Sequence, residues 1–177
     1  MSRPVVKLKL DITSFEEANF NGVLQLAENR GISFQSMAVL GDTEEHRRLL
    51  YELNKTVSGD IPARGKFFEY REFCEKRYGR SYDPKGVIIA LLDGNWIGMT
   101  ANSNWKKYNF IFNEMTGVLT RYRRTGIAIA LKLHGIRYAK SLGVKFAYTV
   151  HDMENVAPIA MNRRLGYVET EWDRLID

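Results

Sequence analysis

The stretch from Met115 to Leu142 constrains this chain more than any other. An apolar strand ends at Val118–Leu119. A basic loop with Arg121, Arg123 and Arg124 follows, and Gly126 opens a helix that the spacing carries to Leu142. The first N–H groups of a helix have no intrahelical partner, and the helix dipole favours an anion beside them. Glycine lacks a Cβ, so a phosphate can approach the backbone at Gly126 closely. Arginines nearby add charge-assisted bonds. The same pattern also fits a plain strand-to-helix turn with a solvated arginine run. Neither a Gly-x-x-x-x-Gly-Lys-Ser/Thr loop nor a Gly-x-Gly-x-x-Gly fingerprint occurs in the chain, which sets aside the two best-known phosphate motifs.

Around this unit the pattern predicts alternating elements. Val5–Leu10 reads as a short strand with one dry face. Ser14 followed by Glu17 forms a capping-box pattern, predicting a helix over Ser14–Asn29 stopped by Gly31. A strand over Ile32–Leu40 comes next. A helix capped by Asp42 or Thr43 then runs to about Val57, with Leu49, Leu53 and Val57 at helical spacing. Ser58–Pro62 breaks the pattern. A further helix over about Lys66–Tyr78 lines up Phe67, Tyr70, Cys74 and Tyr78, so Cys74 reads as core.

Val87–Leu92 and Trp96–Asn102 flank Asp93-Gly94-Asn95, a hairpin signal. Tyr108–Leu119 is a long strand. In the helix after Gly126, Ile127, Leu131, Tyr138 and Leu142 are expected to face inward, and Lys132, Arg137 and Lys140 to face water. Val144–Val150 is a strand. Asn155 caps a helix over Val156–Leu165, Gly166 ends it, and Tyr167–Leu175 closes the chain as a strand. The strand–helix–strand unit should be parallel. The expected fold is α/β, one mixed central sheet with helices on both faces, in a single domain spanning residues 1–177.

With 177 residues, 45% apolar and 27% charged, the chain is long enough for a sizeable core and reads as globular. No apolar run reaches membrane-spanning length, and the N-terminus has no apolar leader, so no membrane role and a cytoplasmic address are expected. A single cysteine excludes an intramolecular disulfide framework. The net charge of +5 is scattered except at Arg121–Arg124 and Arg163–Arg164, a mildly basic surface rather than a nucleic-acid stripe. The three histidines lie far apart in sequence, and no metal-ligand spacing is present.

Arg123-Arg124-Thr125-Gly126-Ile127-Ala128 fits the Arg/Gln-x-x-Gly-x-Gly/Ala signature of the GNAT superfamily of acyl-CoA N-acyltransferases. Thr116-Gly117-Val118 upstream resembles the strand before that loop. Glu154-Asn155 and Asn162-Arg163-Arg164-Leu165-Gly166-Tyr167 resemble the superfamily's last helix and the strand after it. The resemblance covers Gly86–Tyr167 well and the first half of the chain, with its strand–helix–strand portion over residues 1–40, weakly.

It implies a bulged strand, Tyr108–Leu119, splayed from Val144–Val150, with the pantetheine arm of acetyl-CoA in the gap. The N–H groups of Thr116 and Val118 would face the acyl carbonyl and the arm. The main chain from Arg123 through Arg124, Thr125, Gly126 and Ile127 to Ala128 would cradle the pyrophosphate, and Asn155 would lie near the arm. Gly117 suits either a bulge or a close helix contact. Many members carry a tyrosine where this chain has Asn162, as acid toward the departing thiolate. An asparagine amide donates a hydrogen bond but supplies no proton.

Glu114, two residues before Thr116, should share its face and is a candidate general base; the other reading is a carboxylate paired with an arginine. Asp60 is either a holder of a cationic amine or a turn residue. The implied function is N-acetyl transfer from acetyl-CoA to a small-molecule or peptide amine by direct attack. The competing reading is a non-catalytic CoA-binding module or half of a tandem pair. A homodimer is possible on either reading, because Val5–Leu10 needs a partner strand, expected beside the C-terminal one within the chain or from a second subunit.

Overall fold

The computed structural model describes residues 4–62 and 64–172. Seven strands form one sheet in the order β2-β3-β4-β5-β6-β1-β7. They are β1 (Val5–Asp11), β2 (Ile32–Ser36), β3 (Val87–Leu92), β4 (Asn95–Trp105), β5 (Phe110–Val118), β6 (Phe146–Asp152) and β7 (Val168–Glu169). Every neighbouring pair is antiparallel except β5–β6, which is parallel as the strand–helix–strand pattern predicts. The expected mixed α/β sheet is therefore the one observed.

Helices cover both faces, because the strands alternate apolar residues to two sides. On one face α3 (Glu44–Val57) and α4 (Tyr70–Arg77) bury Leu50, Leu53, Val57 and Phe73 against Ile89, Met99 and Ala101. On the other, α1 (Asn21–Asn29) and α5 (Ile127–Leu142) pack Leu24, Ala27, Leu131 and Leu133 over Ile88, Ile97, Ile111 and Ala147. Cys74 packs at the margin of the first cluster.

The edges of several elements move from their expected places. The helix predicted from Ser14 starts at Asn21, after a single 3-10 turn. Its capping box does not form: the Ser14 hydroxyl donates to the Asp11 carbonyl, and Arg137 takes the Glu17 carboxylate. The strand predicted to Leu40 stops at Ser36, whose hydroxyl accepts from the Val39 N–H and caps a one-turn helix, α2 (Met37–Leu40). Thr43 caps α3 as expected, but Leu50 rather than Leu49 faces the core. The predicted helix over Lys66–Tyr78 is the shorter α4. The hairpin turn is tight: Asp93 and Gly94 both have positive φ, the mirror-image turn that matches strand twist.

The N-terminal strand finds its partners inside the chain. β1 pairs with β6 along its whole length and with β7 at Leu8 and Lys9. Of the predicted strand Tyr167–Leu175, only Val168–Glu169 is strand among the described residues, and residues 173–177 lie outside them.

Candidate active site

β5 and β6 pair only at Phe110↔Phe146, Ile111↔Ala147 and Phe112↔Tyr148, and the parallel ladder ends there. Beyond that point β5 runs six more residues, to Val118. The expected splay is therefore present. Its vertex is Asn113, whose carbonyl accepts a 3.0 Å bond from the Thr149 hydroxyl in place of a ladder bond.

At the far end of β5 the chain makes a 3-10 turn at Thr120–Tyr122 and enters α5 at Ile127. Arg124 and Gly126 both take positive φ, so the backbone turns sharply and delivers the helix N-terminus beside the gap. No side chain caps it. The N–H groups of Ile127 and Ala128 belong to the first helical turn, the part of a helix left open to an anion. Thr125 instead closes the turn by donating to the Tyr122 carbonyl, and Arg124 is exposed. Arg123 is already engaged: Nε donates to the Val118 carbonyl and Nη1 meets Asp60 at 2.7 Å. Its guanidinium fastens the end of β5 to the loop after α3. Asp60 meets Arg123 through Oδ2, and its side chain is 68% exposed.

The bulge lies at Glu114, three residues before Gly117. β4 and β5 pair Ala101 with Met115 and Asn102 with Asn113, so Glu114 is the extra residue. Gly117 pairs regularly with Met99; a Cβ there would lie 2.6 Å from Val57 of α3, so it serves close helix packing. The bulge also overturns the expected face of Glu114. Because it adds a residue, Glu114 and Met115 both face α3 and α4, while Asn113, Thr116 and Val118 face α5. Glu114 accepts from Arg77 Nη1 at 2.6 Å. The Arg77 side chain is only 10% exposed, against 35% for Glu114.

The α5 face of the vertex holds a buried polar cluster. Asn113 Nδ2 donates to Asn102 Oδ1 and to the Thr100 hydroxyl. Its Oδ1 accepts from Thr116 Oγ1 at 3.2 Å and from Lys132 Nζ at 3.0 Å. Lys132, expected to face water, is 2% exposed, with its ammonium 4.6 Å from the centre of the Tyr167 ring. Burial pulls its titration down to about 7. The one charge inside the apolar run Ile127–Leu133 was the available signal. It was missed because α5 is covered on more than one side, so a helical face is no guide to exposure there.

Asn162 is 1% exposed; its Nδ2 sits 2.8 Å from His151 Nε2, and its Oδ1 has no partner. His151 is pushed down to about 4, by burial first and then by the Lys132 charge. Asn155 occupies the N-cap of α6 (Val156–Arg164), but its side chain does not make the capping bond. Thr116 and Val118 lie on β5 between the vertex and the loop Arg123–Ala128, and Asn162 lies against His151 of β6. Glu114 lies on the opposite side of the sheet from Thr116 and Val118. Among the described residues no helix is long and apolar enough to cross a membrane, and no group of His, Cys, Asp and Glu could hold a metal.

Comparison with known proteins agrees with this geometry. A mycothiol acetyltransferase from Pseudarthrobacter chlorophenolicus is 28% identical over 100 residues, covering 52% of this chain and 29% of that protein. A GCN5-related N-acetyltransferase from Sphaerobacter thermophilus superposes with a TM-score of 0.67 at 17% identity, over 95% of this chain and 49% of that one. AAC(6')-Iy, solved with the bisubstrate analogue CoA-S-monomethyl-acetylneamine, superposes with a TM-score of 0.60 at 20% identity, over 81% of this chain and 95% of that one. This chain therefore spans less than a third of the curated relative and about half of the first of these structures. The model of the Acetyltransferase (GNAT) family matches residues 45–167, and the chain belongs to that family.

Proposed function

We propose that this chain is an N-acetyltransferase that takes acetyl-CoA as donor and a small-molecule or peptide amine as acceptor. The observation that carries the reading is the continuous path from the vertex at Asn113, along the unpaired edge of β5, to the uncapped N-terminus of α5. Asn113 and Val118 lie five residue steps apart along the strand, about 16 Å, room for an extended arm with its thioester at the vertex and its phosphates at the helix. The CoA-based analogue held by a solved structure of the same fold supports the choice of donor.

In this reading the thioester lies in the gap between the two faces of the sheet. The amine reaches the carbonyl carbon from the α3–α4 side, where Glu114 accepts its proton directly or through water. Main-chain N–H groups of β5, at Thr116 and Val118, hold the acyl oxygen and the arm. Arg77 fixes the Glu114 carboxylate in place. The half-length match also supports a second reading, in which this chain is one unit of a two-unit protein and binds CoA without turnover.

A two-stage experiment tests the first. Acetyl-CoA should raise the thermal midpoint, because a ligand bound only by the native state stabilises it. Ala128→Asp places a carboxylate in the first turn of α5, where it favours the helix but repels phosphate, and should remove the shift while leaving the unliganded midpoint in place. Thiol release from acetyl-CoA across an amine panel then separates catalysis from binding. A shift that survives Ala128→Asp would overturn the phosphate assignment; binding without thiol release for any amine would favour the second reading.

A further inference from the structure

A buried lysine at the vertex of the gap has no role so far. Lys132 Nζ bonds to Asn113, the residue where β5 and β6 part, and the groups around it are Thr116, the Tyr167 ring and His151. Of these only His151 and Tyr167 titrate. Among the described residues no carboxylate forms an ion pair with Lys132, and burial alone accounts for its shift. A cation so placed has no carboxylate counterion among the described residues. Asn162, where many relatives by resemblance carry an acidic phenol, is occupied with His151 and has no proton to give.

We propose that Lys132 is the proton donor for the departing CoA thiolate, acting from the α5 side of the gap. The inference rests on the acyl-CoA reading above and deepens it. The amine lone pair forms the new C–N bond, and the C–S bond breaks with its electron pair going to sulfur. The Lys132 ammonium passes a proton to that sulfur, while the proton shed by the amine leaves on the other face, toward Glu114. Solvent resets both groups after the product leaves. The direction of transfer is favourable: the thiol titrates near ~8.5, and burial has brought Lys132 down to about 7. An ordinary lysine near ~10.4 would hold its proton too tightly.

The test compares binding of CoA with binding of desulfo-CoA, which lacks the sulfur, by calorimetry between pH 6 and 9. In the wild type CoA should bind about tenfold or more tighter than desulfo-CoA. The gap should close in Lys132→Met and persist in Lys132→Arg, which keeps the charge. In turnover the wild-type kcat should fall as pH rises through neutrality, and Lys132→Arg should lose that limb. Equal affinity for the two ligands in the wild type, or an unchanged gap in a folded Lys132→Met, overturns the proposal. If Lys132→Met does not fold, the wild-type gap and the Lys132→Arg pH profile decide. Failure of both ligands to bind the wild type would instead overturn the acyl-CoA reading itself, and this inference with it.

Discussion

Lys132 and His151 are both held below their ordinary titration ranges, so each binds its proton less readily in the folded chain than in the unfolded one. Wherever the unfolded state holds more protons, stability rises with pH. For His151 that window runs from about 4, its folded value, to 6.5; for Lys132 it runs from about 7 to 10.5. Chemical denaturation across pH should therefore show stability rising in both windows. Lys132→Met should remove the upper rise and be no less stable than the wild type at pH 7, since a buried unpaired charge is costly. A Lys132→Met curve that still climbs above pH 7 would place the titrating group elsewhere. Glu114 gives the second expectation at this scale. Glu114→Gln should lower kcat about tenfold to a thousandfold, more than Asn162→Ala does, and regain rate as pH rises and the amine deprotonates unaided. Acetyl-CoA affinity should stay unchanged in Glu114→Gln. Full activity at every pH would reduce Glu114 to a structural partner of Arg77.

At the scale of elements, the spacing between α3 and β5 rests on Gly117. A Cβ there would lie 2.6 Å from Val57 Cγ2 and 2.8 Å from Val57 Cβ, and neither atom is the end of a flexible chain. Gly117→Ala should therefore push α3 off the sheet and cost about 1–3 kcal/mol in an equilibrium unfolding measurement. Val57→Ala should recover part of that loss when combined with it, a non-additivity expected of residues in direct contact. Simple addition of the two losses would show that the sheet, not α3, gives way. The loop after α3 carries Asp60, which holds Arg123 at the entry to α5, so on the proposed reading displacement of α3 should also weaken acetyl-CoA binding.

For the molecule as a whole, β1 joins what would otherwise be two separate edges. It lies between β6 and β7 and buries Leu8 and Leu10 at 0% and 4% exposure. Each such side chain contributes about 1.5–3 kcal/mol of burial, a large share of the ~5–15 kcal/mol that holds a domain together. Its removal also bares the full edge of β6, a template for pairing with other chains. Deleting residues 1–11 should give aggregated or unfolded protein in size-exclusion chromatography. A soluble monomer with an unchanged thermal midpoint would make β1 a dispensable arm.

The local signals that the sequence carries by itself proved sufficient for the pieces that depend on near neighbours. The Asp93-Gly94 turn, the Thr43 cap, the span Ile127–Leu142 and the backbone turn at Gly126 follow from dihedral preference and helical spacing, which act over a few residues. The family signature follows from the same short stretches. Tertiary structure alone decided where side chains point when a non-local partner intervenes. Arg137 took Glu17 from its capping box. The bulge at Glu114, set by pairing with β4, turned that carboxylate to the far face. Packing on more than one side of α5 drove Lys132 inward, where helical periodicity had placed it in water. A period assigns one face of a helix or strand; it carries no information on what covers the other.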